Sequence, residues 1–296
     1  IAVISVTIVP LLPATSAFAS VCATATYSEL TDGQLTYSLG SDCTATITGS
    51  TLTLADRHTY YLAHPTLTFS STVTVRGDTY TVTTIGVDSF RNIRAIEQIS
   101  LPPSVTKIDN YAFYWDTIRT LSAADIPGVT TLGEGAFDWN DTLTSVTLPE
   151  GITAIPLAAF QNNPALISVT LPSTLTDIGE WAYSSSPITS LIIPSGVVSV
   201  GGNAFRSLPP NSVVTFLGDP PTSLGSGAFP GSVVLEFPSG VLPDCATIGY
   251  TTTSCPVTVR FNSGEGGSPV PDQVVTYGGT ITQPANPTRP DSVFIG

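Results

Sequence analysis

Charge is scarce in this 296-residue sequence and positive charge scarcer still, with nine Lys and Arg against 22 Asp and Glu, together 10% of the chain. A net charge of −13 repels a polyphosphate backbone and leaves no surplus of cations to displace its counterions, so nucleic acid is excluded as a partner. Methionine is absent, and the two histidines, His58 and His64, lie in a stretch without cysteine. No CxxC or HExxH spacing occurs, so neither a zinc site nor another metal centre has a ligand set. G-x-S-x-G, Walker and Rossmann signatures are missing as well, and without a positioned base the many Ser and Thr hydroxyls carry no nucleophile. We expect no enzyme activity and no cofactor. The apolar run Ile1 to Leu12 is too short to span a bilayer and is broken by Pro10. What the chain does have is Thr, Ser and Val in quantity, 25 Gly, 25 Pro and 42% hydrophobic residues, a mixture that suits short strands and turns around a substantial core. The fold class expected is mainly β.

The apolar run at the start is followed by Ala17-Phe18-Ala19 and Ser20, a small-x-small cleavage site. Residues 1–19 read as the end of a signal peptide, a buried N-terminal strand being the alternative, and the sequence is expected to begin inside that peptide. Export suits the four cysteines, which form two local pairs, Cys22 with Cys43 and Cys245 with Cys255. Short disulfide loops in an oxidising compartment are the reading that spacing favours, though spacing leaves the connectivity open.

Internal periodicity is the strongest signal. Phe90, Phe113, Phe137, Phe160, Tyr183, Phe205 and Phe229 follow one another at 23, 24, 23, 23, 22 and 24 residues. Five residues before each stands an aliphatic residue: Ile85, Ile108, Leu132, Ile155, Ile178, Val200 and Leu224. Ser89 and six alanines precede the aromatics directly, small enough to let adjacent coils approach. Gly follows the aliphatic residue in five of the seven copies, where a change of chain direction calls for positive φ, and Asp109 and Pro156 replace it in the other two. Between the aromatics runs a strand that ends in Pro, as in Val146-Thr147-Leu148-Pro149; in the second copy Asp125-Ile126-Pro127 takes that place. One coil of about 23 residues cannot bury its own apolar face, so equivalent strands are expected to stack into a parallel ladder with the aromatics in a column at its core.

The segment Val129 to Phe137 followed by Leu143 to Pro149 resembles the BspA-type leucine-rich repeat, whose pattern runs LxxIxLPxxLxxIGxxAF. The resemblance covers residues 82–240. It implies a leucine-rich-repeat solenoid on a bacterial cell surface, adhesive or binding in role and without catalytic residues. Of the Asn or Cys usual after the aromatic, Asn92 and Asn162 are the apparent survivors. Residues 20–81 are expected to form an N-terminal β cap, with a hairpin turning at Gly77-Asp78, and residues 241–256 a C-terminal cap or linker. Residues 257–296 resemble an incomplete Listeria-Bacteroides repeat, the internalin-type B repeat, which implies a small β-grasp-like spacer.

One repeat position departs from the bland pattern. Trp115 and Trp139 both stand two residues after the aromatic, followed by Asp116 and by Asn140-Asp141. Two readings are open: a stacking platform for sugar rings or a proline-rich peptide, with Asp116, Asn140 and Asp141 as polar partners, or two rings closing over the edge of the core. The partner expected is a protein or glycan on a host, a matrix or a neighbouring cell. The alternative function is a non-catalytic accessory region of a larger secreted enzyme whose catalytic domain lies beyond Gly296.

Overall fold

The computed structural model describes residues 25–28, 35–50, 54–75, 78–238, 257–262 and 273–275. The first of these build the cap. Strands β1 (Ala25–Ser28), β2 (Leu35–Leu39) and β3 (Thr44–Ser50) form an antiparallel meander, and β3 then runs parallel to β6 (Asp78–Ile85). Between them lie the helix α1 (Leu54–Ala63) and the strands β4 (Thr66–Thr68) and β5 (Thr72–Val75). β5 and β6 are the expected hairpin, with Val75 opposite Asp78. The helix was not expected in an all-β cap. It closes against Pro65, which cannot continue it, and the His64 N–H donates to the carbonyls of Tyr60 and Tyr61.

Behind the cap the chain winds as a mainly β solenoid of about seven turns, each turn contributing two strands. The longer ones make the front ladder: Ser145–Thr147, Ser168–Thr170, Ser190–Ile193, Val213–Phe216 and Val234–Pro238 pair parallel and in order. Their middle residues, such as Val146, Val169 and Val214, point inward and the flanking Ser and Thr outward, as the alternation of a strand requires. The cap supplies the first rungs of the back ladder and pairs with the first coil at the front in a separate two-stranded sheet. β4 pairs with Gln98–Ser100 at the front, and β3 and β6 lead into the back ladder. In the second copy the strand is Thr120–Leu121, four residues ahead of the expected motif. Asp125 there closes a turn, its carboxylate accepting from Ser122 N at 2.8 Å and Oγ at 2.7 Å. At the far end Val257–Asn262 pairs parallel with Val234–Pro238 and antiparallel with Gln273–Val275.

The back ladder consists of the aliphatic column, Ile85 opposite Ile108, Ile108 opposite Leu132, then Ile155, Ile178, Val200 and Leu224. It is interrupted once, between Leu132 and Ile155. In most other coils the residue after the aliphatic one donates its N–H across the gap, as Asp109 does to Ile85 O, Gly179 to Ile155 O and Gly201 to Ile178 O. Pro156 holds that position in the fourth coil and has no N–H to give.

Between the ladders the seven aromatics stack with centroids 5.2–5.5 Å apart and planes within 11° of parallel. Both ends are closed by a ring turned on edge: Phe69 against Phe90 at 64°, and Phe216 against Phe229 at 76°. Neighbouring backbones come as close as the rings. A Cβ on Gly133, Gly201 or Gly225 would lie 2.1–2.3 Å from a backbone nitrogen of the preceding coil. None of these glycines has positive φ, so close approach, not left-handed geometry, selects glycine after the aliphatic residue. Positive φ occurs instead two residues either side of the aromatic.

Two substitutions in the column should act in opposite directions. Phe137→Ala opens a cavity between two stacked rings and should cost about 3–5 kcal/mol. Tyr183 sits in the column with a buried hydroxyl that has no hydrogen-bond partner among the described residues. Tyr183→Phe removes that orphan and should stabilise by about 1 kcal/mol or more. Denaturant titration of the two variants against wild type measures both, and an unchanged midpoint for Phe137→Ala would show that the repeat register is wrong.

Candidate functional site

Each coil turns from the back ladder toward the front through a tight corner centred on the aromatic. Two residues before it, Asp88, Tyr111, Gly135, Ala158, Trp181, Asn203 and Gly227 all have φ between 54° and 67°. Two residues after it, Asn92, Trp115, Trp139, Asn162 and Ser185 lie between 54° and 62°. This alternation aims every second N–H group along the solenoid axis. Tyr111 N donates to Glu134 O, Phe113 N to Ala136 O and Trp115 N to Asp138 O, at 2.8–2.9 Å. The corner is therefore a hydrogen-bonded ladder of its own, and the left-handed residues are its condition. Asn tolerates that conformation, whereas a bulky side chain there costs on the order of 1–2 kcal/mol.

Trp115 and Trp139 both occupy such a position and remain 38% and 46% exposed. Their rings are not buried under the coil edge. Nor do they form a flat platform: the centroids are 6.5 Å apart and the planes cross at 61°, so the pair makes an angled, edge-to-face surface. Neither indole N–H makes a hydrogen bond among the described residues. The third tryptophan, Trp181, donates instead from Nε1 to Glu180 Oε1 at 2.8 Å.

Polar groups beside the pair come from one further column, four residues after the aromatic. Arg94 of the first coil lays its guanidinium 5.3 Å from the Trp115 ring centre and pairs with Asp141 of the third coil at 3.2 Å. Both partners are about 40% exposed, so the pair orients the groups without adding much stability. On the same corner Arg91 stacks 4.6 Å over Tyr114 and pairs with Asp88 at 2.9 Å, while Tyr111 meets Tyr114 edge-on at 5.9 Å. Tyr111 also covers Gly135, where a Cβ would stand 2.3 Å from the ring.

Asp116 and Asn140 do not join this surface. Both are fully buried, one position further along the turn than the tryptophans, and they point into the coil. Here the repeat carries an internal polar ladder. Asn140 Nδ2 donates to Phe113 O at 2.9 Å, Asn163 Nδ2 to Phe137 O at 3.1 Å and Ser186 Oγ to Phe160 O at 3.2 Å. The asparagines of this ladder are thus Asn140 and Asn163, not Asn92 and Asn162, which are half-buried and belong to the left-handed column. Asp116 fills the same rung with a carboxyl group. Its Oδ1 accepts from Ile96 N at 3.4 Å, but Oδ2 is buried without a partner, and by the register of the ladder it stands where its neighbours donate to the preceding aromatic's carbonyl. Burial pushes its pKa up to about 8. Asp138, next to Trp139 in the chain and accepting from Asn162 Nδ2 at 3.1 Å, is raised by the same cause to about 6.

Residues 72–162 match the BspA type leucine rich repeat region, in six copies. The aromatic corner lies inside those residues. Among solved structures the chain is similar to a leucine rich cell surface protein from Faecalibacterium prausnitzii, 23% identical, covering 81% of this chain and 77% of that one at a TM-score of 0.49. A leucine-rich repeat protein from Bacteroides ovatus is 16% identical over 80% of this chain and 77% of its own, at a TM-score of 0.39. A T. pallidum leucine rich repeat protein is 19% identical over 73% and 93%, at 0.46. No curated protein matches the chain.

The other candidate residues lie apart from the corner. His58 Nδ1 contacts Ile93 O at 2.9 Å and His64 stacks on Tyr60, both in the cap. Among the described residues no three His, Cys, Asp or Glu converge on a metal position, and no helix is long and apolar enough to cross a membrane. Of the four cysteines Cys43 alone lies within the described residues, in the turn between β2 and β3, and the expected pairings fall outside them. A second surface that sequence reading passed over is a shallow groove on the front ladder, where Ile192 and Leu217 lie exposed beside Glu150 and Thr170. Arg91, Arg94, Tyr111 and Tyr114 were also missed. The legible signal was that Arg91, Arg94, Lys107 and Arg119, four of only nine basic residues, fall within 29 consecutive positions.

A group whose folded pKa exceeds its unfolded value favours the folded state most below the unfolded pKa, and this advantage is lost as pH rises through the folded one. Asp116 and Asp138 both have that sign. Stability should fall between about pH 4 and 8, the part above pH 6 being due to Asp116. Asp116→Asn restores an amide donor to the ladder. It should raise stability at pH 8 by about 1–3 kcal/mol and flatten the upper half of the profile, which urea unfolding at a series of pH values reads directly.

Proposed function

We propose that this chain is a binding and display solenoid of the bacterial cell surface, with the aromatic corner of its first three coils as the contact surface. The observation that carries the reading is the placement of Trp115 and Trp139. Coil geometry at their position is met more cheaply by Asn, as in the coils on either side, yet both rings are held half in solvent with their N–H groups unpaired. Large, rigid aromatics offer contact area at little cost in side-chain entropy, and an exposed cluster of them on a rigid scaffold is a recognition surface. Export is supported by the cleavage-site pattern before Ser20, and surface location by the match of residues 72–162 to the BspA type repeat. Residues 257–296 serve as a spacer on this reading, which their resemblance to the Listeria-Bacteroides repeat supports. An accessory role beside a catalytic domain would use the same corner.

The double variant Trp115→Ala, Trp139→Ala should stay folded, since Ala keeps the same Cβ and leaves the left-handed strain unchanged, and should lose retention on an array of glycans and host-matrix proteins. In the wild type acrylamide should quench two of the three tryptophans readily. Retention that survives the double variant but is abolished by Ile192→Glu with Leu217→Glu would move the ligand surface to the front groove.

A further inference from the structure

We propose, building on the corner reading above, that its ligand is a neutral polysaccharide chain whose pyranose faces lie on Trp139 and Trp115 while neighbouring hydroxyls are bridged by Arg94 and Asp141. The two columns of the corner divide the work. The column two residues after the aromatic gives an apolar floor of two indoles, 6.5 Å apart. The column four residues after it gives a polar wall, with the Arg94 guanidinium and the Asp141 carboxylate 3.2 Å apart. A sugar ring presents the same division, C–H groups on its face and hydroxyls around its edge.

The chemistry of the wall separates a sugar from a proline-rich peptide. Guanidinium only donates hydrogen bonds and carboxylate only accepts them, so a ligand edge that satisfies both must donate and accept at adjacent positions. Vicinal hydroxyls do so. A polyproline chain offers carbonyl acceptors and no donor, which leaves Asp141 facing like groups. Charge separates a neutral sugar from an acidic one. Each guanidinium of the corner is already paired with a carboxylate, Arg94 with Asp141 and Arg91 with Asp88, and the chain as a whole carries −13, so a uronate or sulfate finds no uncompensated cation there. The angle between the rings bears on form as well. Planes crossed at 61° suit a single chain that twists from one sugar to the next, not the flat face of a crystalline polymer.

The test is a titration of intrinsic tryptophan fluorescence in the exported chain with cellohexaose, chitohexaose, mannohexaose, polygalacturonate and a proline decamer. At least one of the three neutral hexasaccharides should produce a saturable change. Arg94→Gln and Asp141→Asn should each weaken that binding about tenfold or more, because each removes a charged hydrogen-bonding partner, with the melting midpoint unchanged. In the double Trp variant, whose two reporter rings are gone, isothermal titration calorimetry should find no binding of that hexasaccharide, while the emission of Trp181 reports a folded chain. A response to the proline decamer or polygalacturonate alone, or loss of array retention in the double variant without any hexasaccharide binding, would overturn the glycan assignment and leave the corner as the binding surface. Hexasaccharide binding unaffected by the double variant would overturn both.

Discussion

Two successive coils must approach until a backbone N–H in one meets a carbonyl in the next, a distance of about 4.8 Å between strands, and most of the repeat follows from that distance. Aromatic rings at 5.2–5.5 Å can stack face to face at this spacing without tilting far, which explains planes within 11° over seven coils. The alanines before the aromatics, fully buried from Ala112 to Ala204, leave no volume that would hold the coils apart. Glycine after the aliphatic residue answers the same constraint from the backbone side, since a single methyl group there would strike the preceding turn. The edge-on rings of Phe69 and Phe216 are where the column stops obeying it.

The corner meets the same spacing by other means. No strand could turn so sharply, so residues of opposite φ sign keep alternate N–H groups aligned with the axis, and the left-handed positions become places where side chain and backbone compete. Asn, Asp and Gly settle that competition cheaply at Asn92, Asn162, Asp88 and Gly135. Where Trp or Tyr stands instead, at Trp115, Trp139 and Tyr111, the strain is held by the packed coils on either side, and the rings are fixed in direction before any ligand arrives. A rigid frame thus provides the orientation that a flexible loop would have to gain on binding.

Much of this was legible in the residues themselves. The aromatic, aliphatic and small columns could be read from spacing alone because core packing repeats with the coil and tolerates few side chains. The tryptophan pair was legible too, as a repetition where other coils have Asn or Ser. What escaped were features that depend on direction instead of type. Position alone does not say that Asp116 points inward and Trp115 outward, since adjacent residues at a left-handed corner diverge in a way neither strand nor helix periodicity anticipates. The reason for glycine was misassigned because φ and close approach select the same residue. The helix Leu54–Ala63 was hidden by a β-rich composition, and Arg94 by its distance of 47 residues from the carboxylate it meets.

Pro156 divides the molecule more than its single missing donor suggests. Beyond it the coils are joined along three lines, front, back and corner, whereas at this seam the back line is open and only the front strands and the corner carry the load. A solenoid fastened at one end and pulled through a ligand on its first three coils would be tensioned across that seam. The coils beyond it, joined along all three lines, would bear that load with their stacked column intact.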